Sequence, residues 1–161
     1  RTVVDSHHDL PAANAPAEEL ERTDFAPFRV LNDLPMGMTG HIVVPAFDGE
    51  SPSTQSAAMV GVIRDRIGFQ GLLLTDDLTM QALSGTLADR TARSIRAGCD
   101  VALHCNGTRS EMAEVAAAAG PLSDPALARA DQALARRHAP CAIDADALMA
   151  ELKAILSPAR A

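Results

Sequence analysis

Short apolar runs alternate along the chain with segments in which apolar and polar positions recur at helical spacing. The runs at 38–45, 71–75 and 100–105 are rich in leucine or β-branched residues, as strands of a buried sheet are. Apolar positions in 56–67 and 87–97 repeat every three or four residues, and a glycine follows each segment. The pattern therefore predicts three strands with two amphipathic helices between them.

Alanine-rich segments at 109–119, 125–137 and 144–156 predict three further helices, because alanine has the highest helix propensity. Strands and helices in this order are typical of a parallel α/β fold, either a doubly wound sheet or part of a (β/α)8 barrel. A closed barrel needs eight strands and usually about 250 residues. The 161 residues here hold about half of one, which leaves two sheet edges to be covered.

Composition narrows the classes of function. The chain carries 14 Lys and Arg against 21 Asp and Glu, a net charge of −7. This argues against a nucleic-acid partner, because phosphate binding needs clustered basic residues. No apolar run approaches the roughly 18 residues of a membrane span, so we expect a soluble protein with no membrane partner. The chain starts at Arg1 without Met, and we expect a preceding half to be missing.

The first candidate for chemistry is a pair of carboxylates, Asp76 and Asp77, directly after the apolar run at 71–75. Reactive residues of parallel α/β folds lie at the carboxyl ends of strands. We expect Asp76 to point to the mouth of the fold and Asp77 to support it. The alternative is that one aspartate only caps the following helix.

The second candidate lies near the start of the chain, where Asp5 precedes His7 by two residues. A carboxylate at this spacing can hydrogen-bond an imidazole, select its tautomer and raise its basicity, as a general acid/base requires. The alternative is a polar loop with two histidines. Metal binding is weaker still, because His7, His8 and Asp9 lack the helical spacing of a zinc motif.

Other reactive residue types carry less signal. His41 and His104 lie in or next to predicted strands, where we expect satisfied core or pocket-wall groups. Three cysteines, Cys99, Cys105 and Cys141, are an odd number without metal-ligand spacing, which favours a reducing compartment over disulfides or a zinc site. Nothing in the sequence lowers the pKa of Cys105 as a nucleophile would need.

Six ordered segments together resemble the β-N-acetylhexosaminidases of glycoside hydrolase family 3, which act on N-acetylglucosamine in bacterial cell-wall recycling. The motif Thr-Asp-Asp-Leu at 75–78 is the most specific of them. The segments are Val4-Asp5-Ser6-His7, Asp24-Phe25-Ala26-Pro27-Phe28, Met38-Thr39-Gly40-His41-Ile42, Gly68-Phe69-Gln70-Gly71, Thr75-Asp76-Asp77-Leu78-Thr79-Met80 and Ala97-Gly98-Cys99-Asp100.

The resemblance implies a retaining glycosidase that needs no metal or cofactor. Asp76 would be the nucleophile that forms a covalent glycosyl intermediate, His7 the general acid/base and Asp5 the residue that orients it. The expected substrate is terminal N-acetylglucosamine of peptidoglycan-derived muropeptides, in the cytoplasm. A neutral imidazole does not repel anions, so a phosphorylase-like reaction remains an alternative, as does an inactive fragment that serves as a sugar-binding or interaction module.

The resemblance also implies which part of the fold is present. It identifies the chain as the C-terminal half of a (β/α)8 TIM barrel, about strands 6–8 with their helices, preceded by the loop after strand 5. Residues 1–17 would form the catalytic loop, and 18–161 the βα units and C-terminal helices. The partner would be the missing N-terminal half, which in the family carries a Lys-His-Phe-Pro-Gly-His-Gly-like sugar-binding segment.

Overall fold

The computed structural model describes residues 1–157, so the last four residues of the predicted 18–161 segment lie outside the described residues. The strands of the described part are β1 Met36–Met38, β2 Leu72–Asp77 and β3 Val101–Leu103. The helices are α1 Ala17–Arg22, α2 Ala26–Val30, α3 Ala57–Gly61, α4 Leu87–Ala97, α5 Arg109–Ala119, α6 Asp124–Ala135 and α7 Ala145–Leu156. A 3₁₀ turn, Ser53–Gln55, precedes α3, and a π-helical turn, Val62–Arg66, extends it.

Side-chain caps set the starts of the longer helices. The Thr86 hydroxyl accepts the Asp89 N–H and the Asp89 carboxylate accepts the Thr86 N–H, and Thr108 and Glu111 repeat this arrangement before α5. Each cap satisfies backbone N–H groups that the first turn leaves unpaired. Gly98 ends α4 with φ of 112°, a left-handed conformation that favours glycine. Among residues 1–157, no helix has the length and apolar character to cross a membrane.

The three strands form one parallel sheet in the order β1-β2-β3. Met36 of β1 pairs with Leu72 of β2, and Leu74 of β2 pairs with Val101 of β3. The register between β2 and β3 shifts before Asp77. Shifts of this kind re-aim side chains and are frequent beside active sites.

The hydrophobic core lies between the central strand β2 and the helices that follow β1 and β2. Leu73, which is 2% exposed, belongs to a cluster of buried apolar side chains on this face of the sheet. Burial of each large apolar side chain contributes about 1.5–3 kcal/mol. The cluster consists of Leu20, Phe25, Val44, Met59, Val60, Val62, Ile67, Phe69, Leu73 and Ala97.

A buried carboxylate connects the end of the sheet where β2 and β3 begin to two helical segments. Asp100 lies just before β3, and its two oxygens accept hydrogen bonds from Arg64 and Arg129, each at 2.8 Å. The same carboxylate accepts the backbone N–H of Leu73 at 2.9 Å. Three donors from three segments compensate the burial of this charge, and they fix where β2 and β3 begin.

Both edges of the sheet are open within the described part of the chain, because β1 and β3 each pair with β2 alone. A mostly apolar cavity of about 370 Å³ lies beside β1, and Phe28, Met36 and Met38 on this side are 54–61% exposed. A second cavity of about 720 Å³ lies beside β3. Most parallel sheets have both faces covered and their edges shielded.

The parallel α/β topology predicted from the alternating pattern is confirmed, and the bounds of α4 and α5 agree with the prediction. The predicted strand 38–45 is wrong, because the ladder with β2 covers Met36–Met38 instead. Beyond it the backbone turns at Gly40, whose carbonyl accepts the Ile42 N–H. Val43 then forms an isolated parallel bridge to the N-terminal segment. Helix α1 also begins at Ala17, the last residue of the predicted catalytic loop.

Leu73→Ala is expected to lower the free energy of unfolding by about 2–5 kcal/mol, because it removes buried methyl groups from the centre of the core. Leu134→Ala is the matched control, since Leu134 is 59% exposed on α6, and it should change stability by no more than about 0.5 kcal/mol. Urea unfolding followed by circular dichroism measures both values. Equal effects of the two substitutions would contradict this description of the core.

Candidate active site

Asp76 lies at the carboxyl end of the central strand β2. Leu73 packs into the core and Thr75 is fully buried, with its hydroxyl accepting the Leu103 N–H of β3, whereas Asp76 is partly exposed. Its Oδ1 accepts the backbone N–H of Asp77 at 2.8 Å. The backbone thereby orients one oxygen, and the partly exposed carboxylate stands at the carboxyl end of the central strand.

Asp77 connects the ends of β2 and β3. Its carboxylate accepts the Thr79 N–H at 3.0 Å, the Thr79 hydroxyl at 2.7 Å and the Cys105 N–H at 3.3 Å. Burial opposes ionisation of this carboxyl, but the three hydrogen bonds outweigh it, and the pKa of Asp77 is lowered. The side chain is thus a fixed anion in the turn that follows Asp76.

Asp5 and His7 form a local pair in the N-terminal segment. The Asp5 Oδ1 lies 2.8 Å from the His7 Nδ1 and also accepts the His7 backbone N–H at 3.0 Å. A carboxylate only accepts, so Nδ1 carries the proton and donates it to Asp5. In the neutral ring this leaves the Nε2 lone pair free, which is the arrangement a general base needs.

The electrostatics of this pair favour a protonated imidazole. The hydrogen bond to Asp5, followed by the charge of that carboxylate, raises the pKa of His7 above its ordinary value. Hydrogen bonds from the His7 backbone and ring lower the pKa of Asp5 in turn. The side chains of His7 and Asp5 are 69% and 62% exposed, so a bound substrate can reach the imidazole.

The N-terminal segment meets the chain that follows β1, where Ala12 forms a parallel bridge to Val43, and Asp76 stands at the carboxyl end of the neighbouring strand β2. The charges of Asp76 and Asp77 contribute to the raised pKa of His7, after the larger effects of Asp5. A double displacement at an acetal carbon uses a nucleophilic carboxylate and a second group that can lose or gain a proton. The second group is usually another carboxyl, and an imidazole has the same capacity to exchange a proton. The arrangement is therefore suited to glycosyl transfer.

Comparison with known proteins agrees with this chemistry. A sequence model described as "Glycosyl hydrolase family 3 N terminal domain" matches residues 1–137. The chain belongs to glycosyl hydrolase family 3. This confirms the family that the six sequence segments resemble, and the family 3 N-terminal domain is a TIM-barrel-type α/β fold.

Three similar proteins illustrate the family 3 relationship. A β-hexosaminidase of Chromobacterium violaceum is 36% identical over 121 residues, which cover 73% of this chain and 34% of that protein. The structure of a family 3 β-N-acetylglucosaminidase from Paenibacillus sp. str. FPU-7 has a TM-score of 0.72 at 26% identity, over 89% of this chain and 31% of that one.

The third is NagZ from Neisseria gonorrhoeae in complex with N-trifluoroacetyl-D-glucosamine, with a TM-score of 0.66 at 28% identity, over 94% of this chain and 42% of that one. The family 3 chain thus spans about a third of the length of the curated β-hexosaminidase it matches. The names of these relatives do not favour a phosphorylase or a binding module.

The remaining candidates differ in their surroundings. His41 is 1% exposed, and both of its ring nitrogens have hydrogen-bond partners, as expected. His104 lines the cavity beside β3, as expected of a pocket-wall group, and its buried ring nitrogens have no hydrogen-bond partner among residues 1–157. Desolvation, followed by the charge of Asp77, raises the pKa of the Cys105 thiol, which disfavours a nucleophilic thiolate.

Among the described residues, no group of three or more His, Cys, Asp or Glu side chains could hold a metal ion.

Sequence reasoning missed that Thr79, the Cys105 N–H and His41 hold the Asp76–Asp77 segment. The only signal for Thr79 was its place two residues after Asp77, a spacing at which aspartate commonly accepts a backbone N–H. The other two contacts join distant segments and leave no pattern in the sequence.

Asp5→Ala is expected to lower the pKa of His7 towards its ordinary value, because the carboxylate that stabilises the imidazolium form is lost. NMR titration of the His7 ring protons in the wild type and the variant measures the shift. Asp9→Ala is the matched control: it removes the same charge four residues away, from a carboxylate bonded to the Leu10 N–H. Equal shifts in both variants would show that net charge, and not the Asp5 contact, sets the His7 pKa.

Proposed function

We propose that the protein is a retaining exo-β-N-acetylglucosaminidase in which Asp76 is the nucleophile, His7 the general acid/base and Asp5 the residue that orients His7. The observation that carries the proposal is the Asp5–His7 hydrogen bond, in the segment that bridges to Val43 after β1, together with Asp76 at the carboxyl end of the neighbouring strand β2. Membership of family 3 supports it. The β-hexosaminidase and β-N-acetylglucosaminidase names of the relatives support the sugar class.

The reaction has two steps. In the first, an Asp76 oxygen attacks the anomeric carbon while the protonated His7 Nε2 gives its proton to the departing glycosidic oxygen, which leaves a glycosyl ester on Asp76. In the second, the neutral Nε2 takes a proton from water, whose oxygen attacks the anomeric carbon and releases Asp76. Two displacements at the same carbon retain the β configuration, and His7 returns to its protonated form.

Asp5 suits this cycle because His7 must change its charge in each step. The Asp5 carboxylate stabilises the imidazolium that delivers the proton to the leaving group. It also holds Nδ1, so that the same nitrogen, Nε2, faces the substrate in both steps. We extend the proposal to β-linked terminal N-acetylglucosamine of peptidoglycan-derived muropeptides as the natural substrate, in the cytoplasm. The free thiols of Cys99, Cys105 and Cys141 support a reducing compartment.

The chain is proposed to supply strands 6–8 of the family's barrel, with residues 1–17 as the catalytic loop after strand 5 and 18–161 as the βα units and C-terminal helices. Two open edges of a parallel sheet support this assignment, since a closed barrel has none. The exposed Met36 and Met38 beside one edge offer apolar surface for a preceding strand and helix. The preceding half of the barrel, with its sugar-binding groups, is then the partner that completes the site.

Asp76→Ala in the full-length protein is expected to lower kcat for an aryl β-N-acetylglucosaminide by roughly 10³-fold or more, because no glycosyl ester can form. Asp131→Ala is the control, since it removes an exposed carboxylate of α6 and should leave kcat unchanged. Mass spectrometry of each protein quenched during turnover should find the glycosyl adduct in the wild type and in Asp131→Ala, and not in Asp76→Ala. Near-native kcat in Asp76→Ala would rule out this nucleophile.

His7→Ala is expected to lose roughly 10²- to 10⁴-fold in kcat/KM with a poor leaving group such as an alkyl alcohol, because protonation is then required. The loss should shrink strongly with 2,4-dinitrophenolate, which leaves without a proton. The neighbouring His8→Ala is the matched control and should show neither effect. A loss that is the same for both leaving groups would exclude His7 as the acid.

A further inference from the structure

Three buried side chains form a hydrogen-bonded chain behind the candidate nucleophile. Thr39 directly follows β1, and His41 lies further along the same segment. Thr54 lies in the 3₁₀ turn before α3. The Thr39 and Thr54 hydroxyls are 2.9 Å apart, and the Thr54 hydroxyl lies 2.8 Å from the His41 Nδ1. None of the three is more than 4% exposed.

The far end of this chain is the backbone of the Asp76–Asp77 segment. The His41 Nε2 lies 3.0 Å from the Asp77 carbonyl oxygen. A carbonyl only accepts, so Nε2 carries the proton and donates it. In the neutral ring Nδ1 then accepts from the Thr54 hydroxyl, which accepts in turn from Thr39. The Thr54 hydroxyl also lies 3.2 Å from the Gly40 carbonyl, a second acceptor for its proton, and the His41 end of the chain takes its direction from the Asp77 carbonyl.

The Asp77 backbone is held at both of its polar groups. Its N–H donates to Asp76 Oδ1 at 2.8 Å. Its carbonyl accepts from His41 and, more weakly at 3.2 Å, from the Met80 N–H of the same turn. The N–H and the carbonyl belong to the two peptide groups that flank the Asp77 Cα, so a shift of this residue on loss of the carbonyl's partner would move the N–H that orients the Asp76 carboxylate. Of these three hydrogen bonds, the one from His41 is the one that comes from a different segment of the chain.

We propose that His41 is a positioning residue for Asp76 that acts through the Asp77 backbone. The Thr54 and Thr39 hydroxyls hold the His41 ring in place. The inference rests on the proposed function, because it concerns the nucleophile of that reaction. His41 is too deeply buried to touch a substrate. Its contribution is to keep the Asp76 carboxylate in the orientation from which it attacks, and displacement of a reacting group by about 1 Å can lower the rate by roughly 10²-fold.

Steady-state kinetics of the full-length protein with an aryl β-N-acetylglucosaminide test the proposal. His41→Leu removes the donor at similar volume and should lower kcat about 10- to 100-fold while KM changes by less than about threefold. His41→Gln can place an amide N–H near the position of Nε2 and should recover most of kcat. Wild-type kcat in His41→Leu would overturn the proposal.

A matched control separates positioning from stability. Thr91 is fully buried in α4, and its hydroxyl donates to the Leu87 carbonyl at 2.7 Å. Thr91→Val therefore loses one buried hydrogen bond without contact to Asp77, and it should lower the melting temperature with kcat unchanged. If His41→Leu, His41→Gln and Thr91→Val lose kcat together, His41 has only a structural role and the proposal is wrong.

Two further measurements distinguish failure of this proposal from failure of the proposed function. An active Asp76→Asn would refute the nucleophile itself. Crystal structures of the wild type and His41→Leu need no activity: the Asp76 carboxylate and the Asp77 peptide should be reoriented in the variant and unchanged in Thr91→Val. Unchanged positions in His41→Leu would overturn the role of His41 whatever the reaction proves to be.

Discussion

Strand β2 is the constraint on which the rest of the structure depends, because it alone is paired on both sides in the described sheet. Leu73 in its middle is packed into the core, Asp100 accepts the N–H of that residue, and Asp76 stands at its carboxyl end. A central core residue and the candidate nucleophile therefore lie on the same strand of six residues. A well-packed strand is a rigid mount, and geometry at a reacting centre needs such support.

The two halves of the candidate site are held by different physics. Asp5 and His7 are two residues apart, so a single turn of backbone brings them together, and both remain exposed to water. Asp77 is held by hydrogen bonds from other segments in a partly buried setting, and its backbone N–H in turn orients Asp76. Charge interactions strengthen when water is excluded, so any group that covers the exposed pair would strengthen the attraction between Asp5 and the protonated His7.

The predicted elements succeeded where local chemistry decides the outcome. The bounds of α4 follow from the Thr86 cap and from Gly98, both of which are visible in the sequence. The predicted strand at 38–45 failed because β-branched residues favour extended backbone, whereas membership of a sheet requires a partner. Only Met36–Met38 lies alongside β2, and the residues after it turn to place His41 beneath the Asp77 carbonyl.

The sequence by itself determined the family, the parallel α/β class and the Asp5–His7 contact, because motifs, periodicity and a two-residue spacing act over short stretches of chain. The tertiary structure decided which residues hold Asp77. His41 is 36 residues from Asp77 and Cys105 is 28 residues from it, and nothing along the chain encodes these distances. These residues come into contact because parallel strands bring their carboxyl ends together at the same end of the sheet.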